Sequence, residues 1–259
     1  MPRGLSLYVS GTSLLHRAHP FTKGVLTLVA IALAFIAPSL RWVILIGLIL
    51  IALLAYAGVL ARFAVLAFAL LLPLTLLLVI VQGIANPANR TVLIPLGPLS
   101  LYVEGILFAV LTASRLIDLV AATFLFSFTT KPADFAEALM QRGLSPRFGY
   151  VIQSALQIIP QSLETADRIR GAQRARGLET EGPLLRRARA FIPLLLPLVL
   201  SSLVATQERA MALEVRGFGL PVKRQRRIVL PDSSLQRALR WFLVLLVPIA
   251  IGARIAGWQ

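Results

Sequence analysis

Cysteine is absent from the 259 residues, which excludes disulfides, thiolate nucleophiles and thiolate metal sites. Charge is scarce: 14% of residues are charged against 58% hydrophobic, where a soluble domain is about a quarter charged. Acid is scarcest, with 11 Asp and Glu beside 26 Lys and Arg. No Gly-x-x-x-x-Gly-Lys-Ser/Thr loop occurs, so this chain is not expected to bind ATP. Neither a His-Glu-x-x-His motif nor a nucleophile elbow appears, so hydrolase chemistry of those kinds is not expected either. The two histidines, His16 and His19, lack acidic partners for a metal and read as interfacial residues. These absences predict a non-catalytic chain with no cofactor and no metal site. The first 23 residues are mixed polar and basic, without the apolar core of a cleavable signal peptide. The first apolar run is therefore expected to act as the insertion signal.

What the chain has in abundance is long apolar runs: Gly24–Leu40, Trp42–Leu60 after Arg41, Phe63–Ala85, Tyr102–Phe128 and Ala238–Trp258. Crossing a bilayer as a helix takes about 17–25 residues. Barrel strands alternate apolar and polar, whereas these runs are continuous Leu, Ile, Val and Ala. The expected fold is thus an all-α membrane protein with about five transmembrane helices, joined by long amphipathic cytoplasmic helices. Pro73 is expected to kink the third run. Asn86–Leu101, with its Asn-Pro and Gly-Pro steps, reads as a loop. Arg115 and Asp118 share one face of the fourth run. Charges at that depth are costly unless paired, so the expectation is a structural ion pair between them, or Arg115 bonding the carbonyls of a neighbouring helix. A transport site would need more polar groups than the other runs supply.

From Thr129 the composition changes. Pro132–Glu137 starts a short amphipathic helix that Gly143 ends, and Ser145-Pro146 is a helix start. A stripe of Ile152, Ala155, Leu156, Ile159, Leu163, Ala166 and Ile169 then runs along a helix to Arg176, with Pro160 expected to bend it. A second long helix is expected over Glu181–Arg216; its apolar part, Phe191–Val204, is short for a span and reads as re-entrant or protein-packed. Lys223–Arg227 is a basic turn. This divides the chain into 1–128, with four spans; 129–234, cytoplasmic or interfacial; and 235–259, a final span. The net charge is +15, and ten of the Lys/Arg fall in 131–189 with eight more in 209–240. The positive-inside rule places both stretches, and the N-terminus, in the cytoplasm and the C-terminus outside an inner membrane. The same charge suits anionic lipid headgroups; nucleic acid is not an expected partner.

Two helix ends match. Ala172-Gln173-Arg174-Ala175-Arg176-Gly177-Leu178 and Ala212-Leu213-Glu214-Val215-Arg216-Gly217-Phe218 lie 40 residues apart. Glycine past a helix end is an ordinary left-handed terminator, and Arg in the last turn complements the dipole. Two such ends with matching surroundings, both assigned to the cytoplasmic side, point instead to a repeated docking device. Arg offers a rigid fork of donors, and the small flanking residues allow close approach.

With these motifs the chain resembles the T component, the transmembrane coupling subunit, of energy-coupling factor (ECF) importers. The marks are Ala175-Arg176-Gly177 and Val215-Arg216-Gly217, the second with Val where the family usually has Ala. The His16-Arg17…Pro20…Lys23 arm and the Arg115-bearing helix leading to Thr129-Thr130…Pro132 are also similar to the family. The resemblance implies two ATP-binding partner subunits, one docked at each Arg-Gly end. It also implies a separate membrane-embedded substrate-binding S component, with vitamin or transition-metal cargo chosen by that partner. An ordinary ABC-importer permease is the alternative. Its Glu-Ala-Ala-x-x-x-Gly signature is matched in part by Glu137-Ala138-Leu139…Gly143, but Ile159-Pro160 falls four residues too far along. A secondary transporter would predict inverted repeats and midplane polar residues, which the sequence does not contain.

Overall fold

The computed structural model describes residues 8–87, 90–96, 99–177, 184–218 and 232–256. The basic turn Lys223–Arg227 lies outside them. The apolar runs become α2 (Pro20–Ile36), α3 (Leu40–Tyr56), α4 (Leu60–Ala85), α5 (Val103–Thr129) and α9 (Ser234–Ile255), preceded by a single turn, α1 (Leu14–Arg17). Helices α4, α5 and α9 are long and apolar enough to cross a membrane; α2 and α3 are apolar helices of 17 residues, the lower end of the spanning range. Arg41 does not separate two helices; it sits in the first turn of α3.

Asn86–Leu101 is not wholly a loop. Val92–Leu96 (β1) and Leu99–Tyr102 (β2) pair antiparallel, with Leu96 opposite Leu99 and an irregularity between Val92 and Ile94. The β-branched and aliphatic residues flanking the Gly-Pro step favour strands. The Glu104 carboxylate anchors the base of the hairpin, accepting from the backbone N–H groups of Arg90 and Thr91 and from the Thr91 hydroxyl.

The chain divides into two compact units. One comprises Ser6–Ala138 and Leu230–Gln259. Its centre is α5, which packs against α2, α3 and α4, while α9 packs along α2. The contact face of α5 carries Gly105, Ala109, Ala113, Ala121 and Ala122, all buried. Small residues at helical spacing let backbones approach closely, the usual basis of helix association in lipid. Facing them α4 buries Phe63, Ala67 and Leu71 at a four-residue repeat. The other face of α4 exposes Val65, Phe68, Leu72, Leu76 and Ile80. That surface would be unfavourable in water and is suited to lipid.

The second unit spans Leu139–Val229. Its described helices are α7 (Pro146–Ala175) and α8 (Leu184–Val215), which pack together; α6 (Pro132–Gln141) crosses the boundary between the units. Pro160 lies inside α7, and Pro193 and Pro197 inside α8.

Candidate functional site

Both Arg-Gly ends form as left-handed terminations. Gly177 has φ +87° and Gly217 φ +68°, a region that costs an L residue with a Cβ but not glycine. At each end the glycine N–H donates to the carbonyl three residues back, Arg174 or Glu214, at 2.9 Å. At the end of α8 the Phe218 N–H also donates to Leu213 O at 2.9 Å, completing a Schellman motif. Backbone N–H groups thus satisfy Gln173 O and Arg174 O at the end of α7 and Ala212 O, Leu213 O and Glu214 O at the end of α8, without the arginine side chains. Arg176 and Arg216 are exposed, as is Ala175, and Val215 is 89% exposed.

The pair is antiparallel. Arg209 Nη2 on α8 donates to Gln161 Oε1 on α7 at 2.5 Å, and the rings of Tyr150 and Phe218 stand 5.0 Å apart. The end of α8 thus lies beside the start of α7, and the 26 residue steps from Tyr150 to Arg176 are about 39 Å of helix. The two Arg-Gly ends therefore sit at opposite extremities of the pair. Where α7 and α8 meet, Gln161, Ser162 and Thr165 face Ser201, Ser202 and Thr206 around a small gap of about 110 Å³. Small polar residues at a crossing permit close approach without a locked apolar interdigitation. Away from the seam, Phe148, Val151, Ile159 and Leu163 on α7 and Ile192, Leu196, Leu200 and Val204 on α8 are exposed.

Within α5 the ion pair expected above does not form. Arg115 Nη2 donates to Ala37 O at 2.9 Å, so it satisfies a carbonyl at the end of α2, the second of the two options. Asp118 is 2% exposed, and its Oδ2 has no hydrogen-bond partner. The carboxyl turns toward Gly47 of α3 instead. Three residues on a helix are enough to aim the two side chains at different neighbours.

Several polar residues tie helix ends together: Lys23 and His19 belong to the arm already noted in the sequence, whereas Asp232, Gln236 and Arg240 were not singled out there. Lys23 Nζ donates to Thr129 O at 2.7 Å and to His16 O at 3.0 Å. Arg240 pairs with the Asp232 carboxylate at 2.6 Å and donates to Thr22 Oγ1 at 3.2 Å. The His19 N–H donates to Gln236 Oε1. The available signal was weak: Lys23 stands in the first turn of the apolar helix α2, and Arg240 follows Gln236 and Arg237 near the start of α9. The described residues hold no cluster of three or more His, Asp or Glu that could bind a metal.

Comparison with known proteins gives a consistent neighbourhood. The family model described as CbiQ, cobalt transport protein, matches residues 11–227. The energy-coupling factor transporter transmembrane protein EcfT of Brevibacillus brevis is 34% identical over 234 residues, 85% of this chain and 86% of its own length. EcfT of Heliobacterium modesticaldum is 33% identical over 233 residues, 83% of each chain. EcfT of Bacillus subtilis is 28% identical over 221 residues, covering 82% and 83%.

Proposed function

The chain belongs to the CbiQ cobalt transport protein family, as a T component of energy-coupling factor transporters, and on that premise we propose that it is the scaffold and coupling subunit of an ATP-driven importer. The observation that carries this reading is the matched pair of exposed Arg-Gly ends at opposite extremities of α7 and α8. A separation of about 39 Å suits two partner subunits better than one groove. Each end enters one ATP-binding subunit, where Arg176 or Arg216 presents its donor fork to carboxylates or carbonyls.

ATP-driven closure of the partners displaces the two ends. The small polar seam around Gln161 and Ser202 lets the helices change their crossing. The exposed apolar faces of α7 and α8 pass the movement to a separate S component, which selects a vitamin or transition-metal cargo. This chain neither hydrolyses ATP nor selects cargo. In the cell membrane its N-terminus and the segment 131–189 face the cytoplasm, and its C-terminus faces outward, as the Lys/Arg asymmetry requires.

The test is co-purification. Tagged wild-type chain should bring two ATP-binding chains and a small membrane protein. Arg176→Ala or Arg216→Ala should each weaken ATPase retention by about 2–5 kcal/mol, the range for truncating one side of a buried charge-assisted contact, and the double variant should abolish uptake. Arg186→Ala with Arg187→Ala is the control and should leave both intact. Full ATPase retention by the double variant would reduce the ends to helix terminators.

A further inference from the structure

The two Arg-Gly ends are alike in sequence and unlike in support. In the Schellman motif that ends α8, the N–H of Phe218, the residue after the glycine, closes on Leu213 O at 2.9 Å. That closure brings the residue beyond the glycine back over the last turn of its own helix. Phe218 and Leu213 are accordingly half-buried, whereas Val215 and Arg216 between them are exposed.

The Phe218 ring also meets a second element. It stands 5.0 Å from the Tyr150 ring, tilted by 60°, within the range in which aromatic rings attract beyond simple burial. Tyr150 lies in the first turns of α7 and is half-buried. Its neighbour Gly149 packs against Met140, so a Cβ at position 149 would meet the Met140 thioether and force it to move. The Arg216 end is thus tied, ring to ring, to a part of α7 that is itself packed.

The Arg176 end lacks this support. Its counterpart of Phe218 is Leu178, and no aromatic residue occurs between Val151 and Ala190. A Cβ on Gly171 or Gly177 would meet no packed neighbour within 4 Å among the described residues. The last turns of α7 stand clear on those sides, and segments with few packed contacts open and move most readily.

We propose that Tyr150 is a positioning residue for coupling: it fixes the direction in which Arg216 is presented, so that the α8 end is the held member of the pair and the α7 end the mobile one. The functional consequence rests on the reading of the Arg-Gly ends as ATPase docking sites, but the positioning is a property of the chain by itself. A held end enters its partner's groove with less orientational freedom to lose, so part of its affinity comes from preorganisation.

The chain has no cysteine, so a single nitroxide can be placed on the full-length protein in detergent through Val215→Cys or, for comparison, Ala175→Cys. Electron paramagnetic resonance then reads the mobility of each end. Tyr150→Ala should sharpen the spectrum at 215 and leave that at 175 unchanged. Tyr150→Phe, which keeps the ring, should retain the broader line shape. Phe218→Leu, which gives the α8 end the side chain that the α7 end carries, should act as Tyr150→Ala does, and it decides the matter if that variant folds poorly. The consequence is read from ATPase retention by unlabelled chains. In an Arg176→Ala background, Tyr150→Ala should weaken retention by about two- to tenfold, the worth of one aromatic pair. In an Arg216→Ala background it should add nothing, because the end it positions no longer docks. An unchanged spectrum at 215, equal sharpening at 215 and 175, or a further loss in the Arg216→Ala background overturns the proposal. Retention that Arg216→Ala leaves intact would overturn the docking reading alone, and the spectra still decide the positioning.

Discussion

Asp118 of α5 closes against Gly47 of α3 so tightly that a Cβ placed on Gly47 would stand 2.6 Å from Asp118 Oδ1. Glycine here is a contact surface. Gly47→Ala should lower the stability of the purified chain by about 1–3 kcal/mol, the ordinary cost of overpacking. Gly47→Ala combined with Asp118→Ala should recover much of that loss, because the two residues touch and their effects are coupled. Thermal unfolding of the two singles and the double checks this; strict additivity would refute the contact.

Arg115 ends α2 from a distance. Its bond to Ala37 O satisfies a carbonyl that the helix cannot satisfy internally. Arg115→Met should destabilise the chain by about 1.5 kcal/mol, the lower end for a hydrogen bond to a charged group. Arg115→Lys should keep part of the contact. Asp118→Asn should not mimic the loss of Arg115, since the two are not paired; equal effects in thermal unfolding would restore the ion-pair reading.

The two Arg-Gly ends separate shape from recognition. Gly217→Ala places a Cβ at φ +68° and should destabilise the end of α8 by about 1–2 kcal/mol, seen as faster hydrogen exchange over 213–218. Arg216→Ala should leave that exchange unchanged, because the arginine is exposed and makes no capping bond there, while still weakening ATPase retention. Gly177→Ala and Arg176→Ala should divide in the same way.

The arm should respond to pH through His16. Burial, with Lys23 nearby, holds its imidazole below the ordinary 6.5. The docked arm therefore favours neutral His16 and has its full stability above pH 6.5. As pH falls through that value toward the lowered one, the undocked arm takes up a proton more readily and docking weakens. The reporter is the Val9 amide, bonded to Phe128 O at 2.9 Å. Its exchange, corrected for intrinsic rate, should accelerate between about pH 7 and pH 5, where histidines titrate. His16→Gln should flatten the response; an unchanged slope in that variant would assign it elsewhere.

Much of this molecule could be read along the chain. Apolar runs and their breakers are local signals, so the five apolar helices, the helix start at Ser145-Pro146 and the glycine ends at 177 and 217 were legible from residue types alone. Bilayer thickness and backbone satisfaction impose the same demand on each segment independently of its neighbours. The hairpin was hidden because Pro and Gly argued for a loop, while the Glu104 anchor lies beyond the turn. Partnerships were not legible. Arg115 pairs with a carbonyl 78 positions away, Lys23 with one 106 away, and Arg240 with a hydroxyl 218 away. Each depends on which helices become neighbours and at what rotation. Periodicity assigns a residue to a face of its own helix, but only the packed helices settle which donor that face meets. The same packing set the two Arg-Gly ends apart: their resemblance is written in the sequence, and their placement at opposite ends follows from α7 and α8 running antiparallel.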